Sequence, residues 1–409
     1  MSIAVTAAIL LAAGLPAVPA SAETLSVPAG AKNVTIQLKG NGHGHGMSQY
    51  GAYGAALVGR NYKQIAAFYY PGTTLLTKVG YQAIRVRLSG IGSTTTIGAY
   101  QHTVVVGQAG ELPITGIRLY RLVADAGSGL ALQRIATAPG SVWTNYRTGL
   151  PNGSAFRRTN GYSMRLYRPG GASTFYYGAL KAVRLAATGS AAGVYTVNRI
   201  SYNVYTQGVV PREMPASWPR AAVDAQAVAA RTYGDYAVTH PQNSQYDICD
   251  TTQCQVYGGH IYYDAAGQER WRDYPPAATD TSNQVLRYNG APVFSQFAAS
   301  NGGWSVAGTQ PYLVAEADPY DNATSDVPYF AYTKTVPLAN IAKFFGLATV
   351  TAITFSSRDG HGTWGGRVRA GSVVGKNAKG LTTTVPFTGS GFAAAIGAGT
   401  TWLHLLAAA

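Results

Sequence analysis

The sequence is poor in charged residues, cysteine and long apolar runs, and each shortage excludes a class of protein. Only 12% of the 409 residues are charged whereas 46% are hydrophobic, which excludes a disordered chain. Beyond residue 22 no apolar run is long enough to cross a bilayer. Cys249 and Cys254 are the only cysteines, and two thiolates alone make a poor zinc site.

Acidic residues are also scarce, with 17 Asp and Glu against 31 Lys and Arg, for a formal net charge of +14. The basic residues are scattered, and the chain has no zinc finger, RNA-binding signature or basic run, so no nucleic-acid partner is expected. An anionic cell envelope suits such a surface better. With 49 Gly and 28 Tyr, the composition favours an extracellular, loop-rich α+β protein. We expect a β-rich body and a helix-bearing catalytic core.

Residues 1–22 have the pattern of a secretory signal. An apolar stretch from Ile3 to Val18 precedes Ala20-Ser21-Ala22, a small-residue cleavage site. The stretch is short for a membrane span and is broken by Gly14 and Pro16. No Lys or Arg precedes it, so an upstream start or an atypical signal stays open. The pattern predicts a secreted protein, extracellular or associated with the wall, cleaved after Ala22.

Residues 203–238 are the most informative stretch of the chain. They predict a short apolar strand ending at Val210, then the turn PREMPASWP, then an alanine-rich helix. Ser217 is the expected N-cap of that helix, and Pro219 is expected in its first turn. One face of the helix is almost smooth because small residues recur at helical spacing. These residues are Ala222, Ala225, Ala229 and Thr232.

Glu213 is the single carboxylate in this turn. Burial beside apolar neighbours would raise its pKa and suit it to general acid–base catalysis. The alternative is a surface glutamate paired with Arg212 or Arg220. On the following helix, Gln226 and Arg231 are candidates to brace the turn or the substrate.

The run GVVPREMPASWPRAAVDAQAVAARTY, residues 208–233, resembles the signature of the SpoIID/LytB family, the stage II sporulation protein D group. Members carry a GVV-x-x-EM turn followed by an A-x-x-AQAVAARTY helix. The resemblance implies that Glu213 is the acid/base of a lytic transglycosylase that cleaves between N-acetylmuramic acid and N-acetylglucosamine. It also implies 1,6-anhydro ends, because one carboxylate both protonates the bridging oxygen and activates the sugar's own 6-hydroxyl.

The glycine-rich run GNGHGHGMSQYGAYG, residues 40–54, contains His43 and His45 one residue apart. No third metal ligand lies within sequence reach, which leaves a tight backbone loop as the alternative to a metal site. The run resembles the GHG-x-GMSQYGA element of the same family, which in some members follows the glutamate rather than preceding it. The resemblance favours a glycan groove lined by His45, with Gln49 and Tyr50 bonding and stacking on sugars.

Two further runs carry interpretations that the residues leave open. Cys249 and Cys254 form a disulfide or, because some family members use a His and two Cys here, belong to a zinc clip. Gln253 occupies the position where family sequences often have His. Farther along, DTSNQVLRYNGAPVFSQFAASNGGWSVAG resembles a family element with an Asn-Gly hairpin. There Ser300 and Asn301 either hold sugar groups or form a simple turn.

These observations predict an ordered series of segments. We expect a signal peptide at 1–22, the GHGxGMSQYGA segment at 23–79, a β-rich scaffold at 80–195, a SpoIID-like catalytic core at 196–350, and C-terminal strands with a closing helix at 351–409. The expected partners are peptidoglycan glycan strands and a wall hydrolase. No cofactor is expected apart from the zinc considered above. Two alternatives are a non-catalytic, LytB-like modulator of an amidase and a structural protein anchored in the wall.

Overall fold

In the computed structural model of the protein, residues 22–78, 82–185, 193–323 and 327–409 are described. The predicted signal, apart from Ala22, lies outside the described residues. The chain divides into two compact units. Residues up to 43, 300–304 and 326–409 form the smaller unit, and residues 44–299 and 305–325 form the larger unit. The predicted segment 80–195 falls in the larger unit and 351–409 in the smaller unit, whereas 23–79 and 196–350 contribute to both.

The described residues contain helices and many short strands. The helices are α1 (Gln49–Leu57), α2 (Tyr62–Tyr69), α3 (Tyr202–Glu213), α4 (Arg220–Thr239), α5 (Pro275–Asp280), α6 (Leu338–Phe344) and α7 (Gly389–Ala395). The strands are β1 (Glu23–Ser26), β2 (Asn33–Lys39), β3 (Met47–Ser48), β4 (Thr74–Thr77), β5 (Ala83–Leu88), β6 (Thr95–Gly98), β7 (Thr103–Val105), β8 (Ile117–Ala124), β9 (Leu130–Ala136), β10 (Thr144–Leu150), β11 (Ala155–Arg158), β12 (Met164–Tyr167), β13 (Ser173–Tyr176), β14 (Ala179–Arg184), β15 (Val194–Ser201), β16 (Ile248–Cys249), β17 (Ile261–Tyr263), β18 (Glu269–Arg272), β19 (Gln284–Tyr288), β20 (Ala291–Pro292), β21 (Phe297–Ala298), β22 (Tyr332–Pro337), β23 (Thr349–Arg358), β24 (Val368–Lys376), β25 (Thr382–Thr388) and β26 (Trp402–Ala408). The predicted α+β class, with strands predominating, is confirmed.

The smaller unit is built from two antiparallel sheets and two short helices. One sheet has the order β1-β23-β24-β25 and the other β22-β2-β26. Strand β2 alternates strictly, so Val34, Ile36 and Leu38 are buried while the residues between them are only partly covered. Their side chains join an apolar core with residues of α6 and α7. Helix α7 lies within the segment 351–409, for which the sequence predicts strands and a closing helix.

The larger unit contains the β-rich region and most of the helices. Its main sheets have the orders β10-β9-β8-β6-β12-β13-β17-β18 and β16-β5-β15-β14-β11-β7. Buried side chains of both sheets join one apolar cluster, which also takes in Tyr205 and Val209 of α3. A second cluster joins α1, α2 and α4 to β19. Strands β5 to β14 lie in the segment 80–195, for which the sequence predicts a β-rich scaffold.

Helix α4 is the best buried helix of the larger unit. The predicted smooth face is confirmed, since Ala222, Ala225, Ala229 and Thr232 are all at most 1% exposed. A face of small side chains allows neighbouring backbones to approach closely, and α4 contacts α1, α2, α3 and β19. None of the helices in the described ranges is both long and apolar enough to span a bilayer.

Two sequence predictions about this region are wrong. The expected strand ending at Val210 is part of helix α3, whose Val209 and Val210 are fully buried. Tertiary burial explains the error, because a short apolar run suits a buried helix as well as a buried strand. The second wrong prediction is the N-cap of α4. The helix begins at Arg220 directly after Pro219 and has no side-chain cap, and the predicted cap Ser217 is exposed.

Candidate active site around Glu213

Glu213 is the last residue of α3, and the end of this helix is held by unusual contacts. Pro211 lies inside the helix and has no N–H for the carbonyl of Gln207. That carbonyl instead accepts a hydrogen bond from the backbone N–H of Tyr274 at 3.3 Å. The next carbonyl, of Gly208, accepts from the N–H of Gly258 at 2.9 Å. Neighbouring loops therefore satisfy the helix where its own bonding pattern is interrupted.

The carboxyl group of Glu213 is half-buried and has one hydrogen bond within the described part of the chain. The backbone N–H of Val256 donates to its Oε1 atom at 2.8 Å. Burial raises the pKa of Glu213, and the Val256 hydrogen bond opposes that rise. No charged side chain of the described residues contributes to this change in pKa. A raised pKa is the direction of change that a general acid requires.

The loop containing Val256 reaches Glu213 because α3 carries a glycine where the two meet. A Cβ atom on Gly208 would lie 2.6 Å from the ring of Tyr257 and 2.7 Å from the carbonyl oxygen of Gly259. Any side chain at position 208 would therefore push the loop away from the helix. Tyr205 adds a further bond, because its hydroxyl donates to Oε1 of the buried Gln255 at 2.8 Å.

The contact of Val256 with Glu213 was not predicted from the sequence. Val256 belongs to the run QVYGG, residues 255–259, which follows the second cysteine. The signal that was available is Gly258-Gly259 next to the aromatic Tyr257, since paired glycines often mark a close approach of backbone segments. A backbone donor leaves no trace in side-chain chemistry, so residue type alone does not reveal it.

Cys249 and Cys254 are joined by a disulfide that closes the loop just before Val256. Their sulfur atoms are thereby bonded to each other rather than available to a metal ion. Within residues 22–78, 82–185, 193–323 and 327–409, no group of three or more His, Cys, Asp or Glu side chains is placed to hold a metal ion. The disulfide is one of the two alternatives that the sequence leaves open.

Three predicted site residues meet at the end of α3. The Nε2 atom of Gln49 donates to the backbone carbonyl of Glu213 at 2.9 Å and lies 3.4 Å from Oε1 of Gln226. The Glu213 carbonyl is one of the terminal carbonyls that a helix cannot satisfy by itself. Gln226 is fully buried, and its Nε2 atom has no hydrogen-bond partner in the part of the chain that the structure describes. Gln49 therefore fixes the backbone from which the Glu213 side chain extends.

Gln49 is held in place by the start of α1. Ser48 caps this helix, accepting a hydrogen bond from the N–H of Gly51 at 3.0 Å and donating to the buried carboxylate of Asp321. A Cβ atom at Gly51 would lie 1.9 Å from the hydroxyl of Tyr69. That hydroxyl donates to Asp318 at 2.8 Å. The two aspartates serve this packing, and the glycine of the MSQYG run is required for it.

Tyr50 lies against the turn that follows Glu213. Its ring centroid is 4.9 Å from that of Trp218, and the ring of Tyr53 is 4.8 Å from the same tryptophan. Trp218 in turn packs on the apolar cluster around α4. These aromatic rings form one side of the turn and are only partly covered.

Arg231 is buried among protein partners. It is 1% exposed, and its guanidinium donates to the side chains of Asn203 at 3.0 Å and Thr281 at 3.1 Å and to the carbonyl of Ala278 at 3.0 Å. Burial lowers its pKa to about 10, so it stays charged at neutral pH. These contacts favour a structural role for Arg231 over substrate binding, because its side chain links α4 to α3 and to the segment before β19.

The other predicted residues have contacts with different parts of the chain. His45 is half-buried, and its Nδ1 atom is 3.0 Å from the carbonyl oxygen of Val306. Ser300 and Asn301 belong to the smaller unit. There Asn301 accepts a hydrogen bond from the N–H of Gly303 at 2.9 Å, as in a tight turn, and Ser300 is fully buried. Their sugar-binding role stays a prediction.

Two other carboxyl groups of the larger unit have a raised pKa. Burial raises the pKa of Asp224 to about 6 despite its ion pair with Arg220. Burial also raises the pKa of Glu316. Neither carboxyl group affects the pKa of Glu213.

Comparison with known proteins identifies the class to which this region belongs. A family model described as stage II sporulation protein, SpoIID, matches residues 190–288, which include α3, α4 and the 255–259 loop. Residues 190–288 are thus similar to the SpoIID/LytB family, which supports membership of that family and a cell-wall-related role.

Individual relatives match parts of the chain. Identity to the amidase enhancer of Bacillus subtilis (strain 168) is 37% over 121 residues, which is 28% of this chain and 15% of that protein. Identity to stage II sporulation protein D of the same strain is 27% over 201 residues, or 45% of this chain and 57% of the relative. An uncharacterized protein of Brachyspira hyodysenteriae (strain ATCC 49526 / WA1) is 33% identical over 142 residues, which is 34% of this chain and 35% of that protein. The chain thus covers less than two thirds of each relative.

Proposed function

We propose that the protein is a peptidoglycan lytic transglycosylase in which Glu213 is the single acid/base. The observation that carries the proposal is the setting of this carboxyl group. It ends a helix inside the SpoIID-matching region, burial raises its pKa, and no charged side chain among the described residues contributes to that pKa. Glycosidases that use water need a second carboxylate to activate it. A transglycosylase that uses the sugar's own hydroxyl does not.

The proposed reaction has two proton transfers through one side chain. Protonated Glu213 donates its proton to the oxygen that bridges N-acetylmuramic acid and N-acetylglucosamine. The bond from that oxygen to C1 of the muramic sugar then breaks, leaving an oxocarbenium-like centre. The Glu213 carboxylate takes the proton of the 6-hydroxyl as O6 bonds to C1. The products are a 1,6-anhydro end and a free 4-hydroxyl, and Glu213 is protonated again.

The surrounding residues have supporting roles in this proposal. Gln49 positions the backbone of Glu213, and the buried Gln226 lies beside Gln49, with its Oε1 atom 3.4 Å from Nε2 of Gln49. A substrate contact of Gln226 remains a proposal. The half-covered ring of Tyr50 offers a face on which a sugar can stack. His45, Ser300 and Asn301 remain proposed sugar contacts. We further propose that the protein is exported and acts at the cell wall.

The test compares wild-type protein with Glu213→Gln on purified peptidoglycan and on glycan strands stripped of peptides. The amide keeps the shape and can accept from Val256, but it cannot exchange a proton, so the rate should fall by ~10⁴-fold, the upper end for loss of acid–base catalysis. Mass spectrometry should find 1,6-anhydro ends in the wild-type digest. Glu316→Gln is the matched control and should remain active. Reducing ends alone would identify a hydrolase instead.

A second candidate function is non-catalytic enhancement of a wall amidase. The similarity to a protein named amidase enhancer supports it. Under this alternative the protein would bind the wall without cleaving glycan, and Glu213→Gln would stimulate an added amidase as well as wild type does. Stimulation that persists in the variant, with no anhydro ends in any digest, would favour this function over the transglycosylase.

A further inference from the structure

A loop of the smaller unit, residues 358–367, presents a tryptophan in an unusual way. The loop is held by its own hydrogen bonds. The Oδ1 atom of Asp359 accepts from the N–H of His361 at 3.2 Å and from that of Arg367 at 3.0 Å. The buried Trp402 adds a bond from its indole Nε1 to the carbonyl of Thr363 at 3.0 Å. The backbone of the loop is therefore well fixed.

Trp364, near the middle of this loop, has a left-handed backbone conformation with φ 58° and ψ 17°. Bulky side chains disfavour this region, which glycine and asparagine accept readily. Burial does not compensate, because Trp364 is only partly covered and does not belong to the apolar core of the smaller unit. A strained conformation that the surroundings maintain without a packing benefit is typical of a functional position.

Two tryptophan–histidine stacks involve this loop. The Trp364 ring lies 4.9 Å from that of His404 at an angle of 15°, and the Trp304 ring lies 5.2 Å from that of His361 at 10°. All four residues are partly exposed. Each stack covers one face of a tryptophan and holds the ring in a fixed orientation. The exposed hydroxyl of Thr363 lies between the two loop residues that take part in the stacks.

We propose that this Trp–His platform, Trp304, His361, Trp364 and His404, is a carbohydrate-binding site separate from the residues around Glu213. A pyranose ring has an apolar face that stacks on indole and a rim of hydroxyls that bond to polar neighbours. Rigid indole rings beside the Thr363 hydroxyl and the His361 imidazole match both features, whereas Nδ1 of His404 lies 2.9 Å from the carboxylate of Glu23. The choice of a β-linked amino-sugar polymer as the ligand rests on the proposed cell-wall function. The proposal does not depend on catalysis by Glu213.

The test uses the full chain carrying Glu213→Gln, so that glycan is not consumed. Trp364→Asn is the informative change, since asparagine suits the left-handed conformation and the melting temperature should not fall. Binding is measured by co-sedimentation with insoluble peptidoglycan and by titration with a tetramer of N-acetylglucosamine. Loss of the ring should weaken binding about tenfold. Trp364→Tyr keeps an aromatic face and should restore most of the binding.

Trp143→Ala is the matched control. This tryptophan of the larger unit is also partly exposed, but the guanidinium of Arg121 covers its ring at 4.1 Å from the centroid. Its removal should leave glycan binding unchanged. Unchanged binding in Trp364→Asn, with both probes, would overturn the proposal. Absence of glycan cleavage by the wild-type protein would overturn the proposed activity only, because the binding experiment does not involve turnover.

Discussion

Asp224 is the carboxylate whose pH response is best defined by its surroundings. It lies in the second turn of α4, is 7% exposed, and forms an ion pair with Arg220 at 3.0 Å. Burial raises its pKa from the ordinary value of 3.8 to about 6, the Arg220 charge opposes the rise, and the nearby charge of Asp280 adds to it. The ion pair therefore does not fully offset the loss of hydration.

The sign of the effect follows from this raised pKa. The protonated form is favoured in the folded state, so the contribution of Asp224 to stability is fully present below pH 3.8. It is lost as the pH rises through the folded-state pKa of about 6. Each pH unit between the two values corresponds to about 1.4 kcal/mol. The ionised side chain should therefore reduce the free energy of unfolding by about 3 kcal/mol at pH 8.

The experiment measures urea unfolding of wild-type protein and Asp224→Asn between pH 3 and pH 8. The variant should gain about 3 kcal/mol over wild type across this range, with most of the gain between pH 4 and pH 6. Asp280→Asn, which changes an exposed member of the same group, should have a much smaller effect. Asp224→Asn should also cleave glycan normally. A constant difference between the two proteins at all pH values would refute the reasoning.

Three other predictions test the site. Glu213→Gln should unfold like wild type near pH 3 but be more stable at pH 8, because burial disfavours only the ionised form; equal stability in urea at both pH values would contradict this. Gln49→Ala should lower kcat about tenfold with little change in KM, measured on stripped glycan; an unchanged kcat would remove its positioning role. Replacing Cys249 and Cys254 by Ser should lower the free energy of unfolding in urea by about 2 kcal/mol and reduce activity. Unchanged stability and activity would show that the loop holds Val256 without the disulfide.

Features with a strong local pattern were predictable from the sequence. Strand β2 alternates along its whole length, α2 has a helical pattern that stops before Pro71-Gly72, and the hairpin of β19 and β20 turns at Asn289-Gly290. In each case the residues that decide the structure are neighbours in sequence. The site residues Glu213, Gln49 and Gln226 were also identifiable, because they lie in runs that resemble a known family.

Helix α3 was not predictable in the same way, because the contacts that permit it are distant in sequence. A proline near the end of an apolar run argues locally against a helix. Here the carbonyl that Pro211 leaves unpaired bonds to Tyr274, more than sixty residues later in the sequence. The division into two discontinuous units is likewise a property of long-range pairing, such as that of β2 with β26.

The same distant contacts determine the surroundings of Glu213, the proposed acid, at the end of this helix. Proline and glycine weaken the last turn of α3, so its carbonyls at Gln207 and Gly208 are satisfied by the segments after β16 and β18. One of these segments includes Val256, whose N–H reaches the carboxyl group. Gln49 satisfies the carbonyl of Glu213 itself. A regular helix would also leave the carbonyl of its last residue without an internal partner, so the Gln49 contact follows from the helix end itself. The interruption at Pro211 adds the bond from Tyr274 to Gln207, because proline has no N–H for that carbonyl. The end of α3 thus joins the GVVPREM run to the MSQYG run through Gln49 and to the QVYGG run through Val256 and Gly258.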